Sequence, residues 1–451
     1  MESILYGREL LEKELPAEVK EGIKKGMIHS QSRPAFFKEK GRIFCQRCQA
    51  EMTLTKENEC LCREDCAYCR YCLKMGKVRK CSFFYSLKEP NDFKKQKGKL
   101  LTWEGELSKE QQLASKDLMT SIQKKETRLL WAVAGAGKTE ILFAGLEEAL
   151  KRGERVCLAS PRVDVCLELA PRIAEAFPSI PISLLYGGVE EAYSYQQLTI
   201  ATTHQLFRFQ EAFDLLIIDE IDAFPFAGDE SLERAVGKAR KENSALIYLS
   251  ATPNRRMQKE IKNGKLGATI LPARYHGHPL PLPQMKWCAN WTEKVFTHFE
   301  RSSLGKIMAG KIQEGRRFLL FLPNIKWMLT FEEMLRKIYP ECYFESVSSM
   351  DPHRKEKVLK MRAGEVQFLM TTTILERGVT FPNIDVLVLG AEDRIYTESA
   401  LVQIAGRCGR AADYPDGEVI FFHEGKSLAM KRAVQQIKRM NHLARKRGLI
   451  Q

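Results

Sequence analysis

The segment AVAGAGKT, Ala132 to Thr139, constrains this 451-residue chain more than any other. The apolar run RLLWAVA leads into it and the helical stretch EILFAGLEEAL follows, so it reads as strand, glycine turn and helix. Such a turn aims successive backbone N–H groups and the positive end of a helix at a polyanion, which points to nucleotide phosphates. Lys138 is then placed to reach the β and γ phosphates, and Thr139 to ligate Mg2+. The strict form of the loop has Gly where this chain has Ala132, while Gly135, Gly137, Lys138 and Thr139 match.

Short apolar strands alternate with amphipathic stretches on either side of that loop. RVCLAS, LTIATT, FDLLIID and ALIYLSA lie in residues 100 to 272; RRFLLFLP, QFLMTT, IDVLVLG and GEVIFF come after the connector LPARYHGHPLPLPQ. The alternation predicts an α/β fold with parallel sheets flanked by helices. We expect an N-terminal region over 1–98, a first α/β unit over 99–275 and a second over 285–451. The N-terminal region reads as a charged, helical lead, then a cysteine cluster, then the lysine-rich linker EPNDFKKQKGK.

LLIIDEID ends an apolar strand in Asp219, Glu220 and Asp222, about 80 residues beyond the phosphate loop. A strand-end carboxylate such as Asp219 can hold Mg2+, and Glu220 can take a proton from an attacking water. QIAGRCGR supplies Gln403, Arg407 and Arg410, cationic groups that can offset charge developing on a phosphate. The three-residue spacing predicts both arginines on one helical face.

Eight of the 13 cysteines crowd between Cys45 and Cys81. MESILYGRELLEKELPAEVK does not read as a secretory signal, so in a long chain that density is expected to mark metal rather than disulfides. Cys45 and Cys48 form the first pair. Either Cys66 with Cys69 or Cys69 with Cys72 can form the second, since gaps of 17 and 20 residues from Cys48 both suit a zinc ribbon. Four thiolates around Zn2+ make a closed structural site. Eight cysteines could also build two sites. Arg42, Arg47, Arg63, Arg70, Lys74 and Arg79 would offset the negative charge.

The charge of 71 basic against 57 acidic residues, net +14, favours a polyanionic partner, nucleic acid before an anionic membrane surface. No run reaches the roughly 20 apolar residues of a membrane-spanning helix. A cytoplasmic protein is expected.

The ordered motifs resemble those of superfamily 2 helicases and translocases over roughly residues 100 to 425. LSKEQ with Gln111 is similar to the adenine-sensing segment, AVAGAGKT to motif I, SPRVDV with Arg162 to motif Ia, and TTHQL with Thr203 and Gln205 to the following segment. DEID is similar to motif II, Ser250 to Thr252 to motif III, FLPN to motif IV, TTTILERGVTFPNID to motif V and QIAGRCGR to motif VI. The resemblance implies two tandem RecA-like lobes that bind and hydrolyse ATP. It places Gln111, Ala134, Gly135, Ala136, Gly137, Lys138, Thr139, Asp219, Gly378 and Gln403 around the nucleotide, and Lys138, Asp219, Glu220, Arg407 and Arg410 in catalysis. Single-stranded nucleic acid would be held at its phosphates by segments around Arg162, Thr203 and Thr372, with motif III coupling hydrolysis to movement.

YCRYCLKMGK after an upstream CxxC, just ahead of such a motor, resembles the ComFA family of late-competence proteins of Gram-positive bacteria. That resemblance selects Cys45, Cys48, Cys69 and Cys72 as zinc ligands. It implies a DNA-stimulated ATPase that translocates transforming single-stranded DNA. Such a motor would work at the inner face of the membrane with the uptake channel and ComFC, as a monomer or a homo-oligomer. Two other readings compete. In a replication-restart helicase the zinc-binding cysteines interrupt the second lobe, whereas here only Cys288, Cys342 and Cys408 follow the first. A zinc-dependent DNA-binding adaptor would use ATP as a switch without translocating.

Overall fold

A computed structural model describes residues 1–51, 55–56, 60–62, 66–188, 193–293, 297–411 and 414–450; Arg63 lies outside the described residues. The chain divides into two compact units, residues 1–130 with 139–269 and residues 131–138 with 270–451.

The larger sheet has seven strands in the order Ile182–Leu185, Leu198–Thr202, Val156–Ser160, Phe213–Ile218, Arg240–Ser250, Thr127–Ala132 and Gly267–Leu271. Phe213–Ile218 is buried along its whole length, as a parallel strand covered on both faces must be. Its one charged residue, Asp214, accepts from Arg155 N at 2.9 Å and Lys241 Nζ at 2.7 Å. The parallel register sets Ser160 beside Thr202, Ala159 beside Ile218 and Ile218 beside Tyr248. The carboxyl ends of four strands therefore share one edge, and the segments around Arg162, Thr203, Asp219 and Thr252 all leave the sheet there. Helix Val163–Ala176 packs on the strands at one side, and helices Lys109–Gln123 and Glu230–Ala239 pack on Arg240–Ser250.

The N-terminal lead is a small mixed structure rather than the helical lead that its charge pattern predicts. Strands Arg8–Leu11, Phe83–Leu87 and Gln31–Pro34 form an antiparallel sheet with Phe83–Leu87 in the middle. Its α-helix is limited to Ala17–Lys24, over a core of Leu5, Leu10, Leu15, Val19 and Ile28. Pairing with a strand far along the chain overrides the local preference. The linker is irregular, as expected, but fixed: Gln96 N donates to Lys151 O at 2.9 Å, Leu100 N to Glu147 Oε1 at 2.8 Å and Thr102 N to Ala176 O at 2.9 Å.

The second unit carries six strands, all paired in parallel, in the order Gln284–Trp287, Val419–His423, Ile384–Leu389, Arg317–Phe321, Phe368–Thr371 and Phe344–Val347. Phe318, Phe368 and Phe344 stack across three neighbouring strands with ring centroids 4.7 and 4.5 Å apart, a cross-strand contact that fixes register. Helices Ile325–Ile338 and Arg354–Ala363 cover that edge. Asn324 caps the first of these through a bond to Trp327 N.

Candidate nucleotide site and cysteine clusters

The phosphate loop departs from the strand Thr127–Ala132 and enters the helix Lys138–Lys151. Gly135 and Gly137 have φ of +82° and +73°, which a Cβ would disfavour, and Ala136 N closes the turn on Val133 O at 3.2 Å. Ala132 is a fully buried strand residue, so the position where the strict pattern has Gly accommodates a side chain. Lys138 and Thr139 open the helix, where unsatisfied N–H groups gather. Gln111 is buried, and its Oε1 accepts from Ser108 N at 2.8 Å as the reciprocal half of a capping box.

Asp219 follows the end of its strand, and its Oδ1 accepts from Glu220 N at 2.8 Å. Glu220 is buried with φ of +52°, a left-handed backbone that costs a non-glycine residue on the order of 1 kcal/mol and concentrates at functional sites. Ser250 Oγ donates to Asp222 Oδ1 at 2.7 Å, and Thr252 Oγ1 donates to the other oxygen. The last acid of DEID is thus gripped by both hydroxyls of Ser250 to Thr252.

Two strand-contact expectations meet different surroundings. Arg162 forks onto Asp164, with Nη2 to Oδ2 at 2.9 Å and Nε to Oδ1 at 3.2 Å, so a phosphate would compete with a carboxylate for it. Thr203 is fully buried, which removes its hydroxyl from any strand on this surface; it opens the 3-10 turn Thr203–Arg208, whose packing carries it inward.

In the second unit the arginines do not share a helical face. Helix Glu398–Ala405 ends before them, because Gly406 begins a turn that continues to Gly409 at φ of +64°. Buried Arg407 donates from Nε to Glu376 O at 3.1 Å; Arg410 reaches Gly406 O at 3.0 Å and Thr380 Oγ1 at 2.9 Å. Gln403 is buried on the helix, and Gly378 sits at φ of +72° in the segment that supplies Glu376 and Thr380.

Sequence reasoning missed Arg274, which it left in a connector. Its Nε donates to Ala134 O at 3.2 Å, its Nη2 to Gly406 O at 3.2 Å and its Nη1 to Gly409 O, so one buried guanidinium links the phosphate loop to the arginine turn. Burial, and then the charge of Arg410, pull its pKa down to about 10. A lone arginine after a proline gave no signal of this. Arg377, also missed, is buried with Nη2 on Ser399 Oγ at 2.7 Å.

The cysteines separate into two groups of four. Cys45, Cys48, Cys69 and Cys72 are buried, with sulfurs all within 4.8 Å of one another; Cys45 to Cys72 is 3.7 Å and Cys48 to Cys69 is 3.6 Å. Four sulfurs at the usual Zn–S length of 2.3 Å in a tetrahedron stand about 3.8 Å apart, so the set fits Zn2+. Tight turns shape it: Gln49 N returns to Cys45 O at 2.8 Å, and Met75 N to Cys72 O at 2.9 Å. Cys60, Cys62, Cys66 and Cys81 form the other group, also within 4.8 Å.

Buried charge ties this region to the first sheet. Lys238 Nζ donates to Glu9 Oε2 at 2.8 Å, Arg155 pairs with Glu89, and Glu14 takes Arg47 on one oxygen and Arg208, at 3.0 Å, on the other. Arg234 Nε donates to Cys48 O at 3.2 Å.

Comparison with known proteins matches residues 1–86 to the competence protein ComFA N-terminal domain, 104–255 to the type III restriction enzyme res subunit and 300–412 to the helicase conserved C-terminal domain. The chain is 48% identical to competence protein ComFA of Bacillus subtilis over 84% of its length and 81% of the relative's. It is 40% identical to that of Streptococcus pneumoniae over 90% and 92%. Among solved structures, S. cerevisiae Dbp5 bound to RNA and ADP BeF3 superposes with a TM-score of 0.55 at 14% identity, covering 74% of this chain and 92% of that one. Mycobacterium smegmatis helicase Lhr bound to ssDNA and AMP-PNP gives 0.54 at 16%, covering 75% and 50%. Both parallel sheets are RecA-like lobes of the helicase kind, preceded by a cysteine-rich N-terminal region.

Proposed function

The chain belongs to the ComFA family of competence proteins, and from that premise we propose that it is a DNA-stimulated ATPase that translocates transforming single-stranded DNA into the cell. Lys138 would offset charge on the β and γ phosphates, and Glu220 would take the proton of the attacking water. Mg2+, held by Thr139 and Asp219, would neutralise phosphate charge. Gln403, Arg407 and Arg410 would serve the transition state, and Gln111, Ala134, Gly135, Ala136, Gly137 and Gly378 the bound nucleotide. Cys45, Cys48, Cys69 and Cys72 would hold a structural Zn2+ that shapes a strand-capturing face. The protein would act at the inner face of the membrane with the uptake channel and ComFC. No described helix is long and apolar enough to cross a membrane, so the proposed attachment is peripheral.

The observation that carries this reading is the double grip of Ser250 and Thr252 on Asp222, a direct mechanical link between the acidic motif and the end of the neighbouring strand. Steady-state ATP hydrolysis with and without single-stranded DNA tests it. Strong stimulation in the wild type and a loss of roughly 100-fold or more in Lys138→Ala are expected, the scale of removing one electrostatic catalytic group. A folded protein whose hydrolysis ignores DNA would overturn it.

A further inference from the structure

We infer that Cys60, Cys62, Cys66 and Cys81 bind a second Zn2+, separate from the ion proposed for the buried set. Cys81 Sγ lies 3.5 Å from Cys60 Sγ and 3.7 Å from Cys66 Sγ, close to the sulfur spacing of about 3.8 Å expected around tetrahedral zinc. One sulfur can join only one partner in a disulfide, whose S–S length is about 2.05 Å. Standing at similar distances from two others is instead what ligands of a shared ion do.

Among the described residues of the stretch between Cys60 and Cys66, no apolar packing explains why these thiols converge. The stretch ENECLCREDC, residues 57 to 66, offers Leu61 as its one large hydrophobic residue, and Leu61 is 98% exposed. Burial therefore contributes little to holding Cys60 and Cys62 against Cys81, and a metal supplies the missing attraction.

The two cysteine groups also share one piece of backbone. Cys69 N donates to Val78 O at 3.0 Å and Lys80 N to Ala67 O at 2.8 Å, so residues 66–69 and 78–81 run as a short ladder. Cys69 stands at one end of it in the buried group. Cys66 and Cys81 flank the other end in the second group. An ion at each end staples the ribbon twice. Binding takes up Zn2+ and releases the thiol protons, leaving a tetrathiolate site of net charge −2. The groups differ in access: Cys45, Cys48, Cys69 and Cys72 are buried, whereas Cys81 is exposed and Cys60 and Cys62 are half-buried. The second ion is the one a chelator reaches first.

Zinc content of the full-length protein, purified under reductant and brought to saturation with Zn2+, tests the inference. Two ions per chain are expected, falling to one in Cys60→Ser/Cys62→Ser. A chelator should release zinc from the wild type in a fast and a slow phase, and that variant should lack the fast phase. The same variant should be cleaved more readily by protease between Cys48 and Cys66 while its ATPase remains. One ion in the wild type, unchanged in Cys60→Ser/Cys62→Ser, would overturn the inference and leave the site at Cys45, Cys48, Cys69 and Cys72 untouched. So would a Cys60–Cys81 disulfide, found by mass spectrometry, in protein holding a single ion.

Discussion

Ser250 Oγ and Asp222 Oδ1 are 2.7 Å apart, joining the end of one parallel strand to the loop that leaves its neighbour. Thr252 N adds a bond to the same Ser250 Oγ at 2.9 Å, so the hydroxyl is both donor and acceptor and its orientation is set. In Ser250→Ala/Thr252→Ala both donors to Asp222 are lost. A hydrogen bond to a charged group contributes about 1.5–3 kcal/mol, so DNA stimulation of ATPase should fall roughly 10-fold or more. Nucleotide affinity, followed with a fluorescent analogue, should hold. Equal loss of affinity and stimulation would reduce the pair to a prop for the fold.

Arg274→Ala strips three backbone carbonyls, at Ala134, Gly406 and Gly409, of their shared donor. Gly406 O keeps Arg410 Nε at 3.0 Å, but a buried acceptor left without a donor costs about 1–3 kcal/mol, so destabilisation of about that size is expected in urea unfolding. Lysine should not rescue it, because a point-like ammonium cannot span acceptors that a planar fork reaches together. Recovery in Arg274→Lys would show that charge alone matters.

Lys238→Met takes the 2.8 Å cation from the buried Glu9 carboxylate and leaves it Arg33, 3.9 Å away on the other oxygen. Breaking such a pair costs roughly 3–5 kcal/mol, whereas replacing both members with apolar residues is close to neutral. Glu9→Leu/Lys238→Met should therefore recover most of the stability lost in the single variant. A single variant as stable as the wild type would mean that water reaches Glu9 easily.

Glu14 supplies a pH signature. Burial pushes its pKa up, but the charges of Arg47 and Arg208 and the Leu11 N–H outweigh that, and the net shift is below the ordinary 4.5. A carboxylate lowered in the folded state stabilises fully above its unfolded pKa, and the contribution fades as pH falls through the folded value. Thermal unfolding should thus be insensitive to Glu14 titration from pH 5 to 8. Below about pH 4.5 the wild type should lose stability faster than Glu14→Gln. Parallel curves for the two proteins down to pH 3 would contradict the ion-pair account.

The parts of this molecule that a local pattern encodes were legible. AVAGAGKT announced its strand and helix, and FDLLIID its buried strand, because a short window contains all the information needed. Arg407 and Arg410 show where a local rule misleads: their spacing suits a helix, yet the two glycines interleaved with them end it. The charge-rich lead hid a strand whose partner lies at Phe83–Leu87. Glu89 and Arg155, or Glu9 and Lys238, leave no periodic trace, since buried pairing between distant positions follows from the packed fold alone. Spacing left the partner of Cys69 open between Cys66 and Cys72; convergence in space put Cys66 with Cys60, Cys62 and Cys81.

The buried charges beneath the N-terminal region also set a rule for exchange between relatives. Arg155, Arg208 and Lys238 belong to the first lobe, but Glu9 and Glu14 of the N-terminal region and Glu89, the first residue of the linker, neutralise them. A chain cut to begin near residue 100 would strip Arg155, Arg208 and Lys238 of those carboxylates and uncover the face they neutralise, and should fold poorly. A cysteine-rich head grafted from another protein would seat only if it brought carboxylates to those three places.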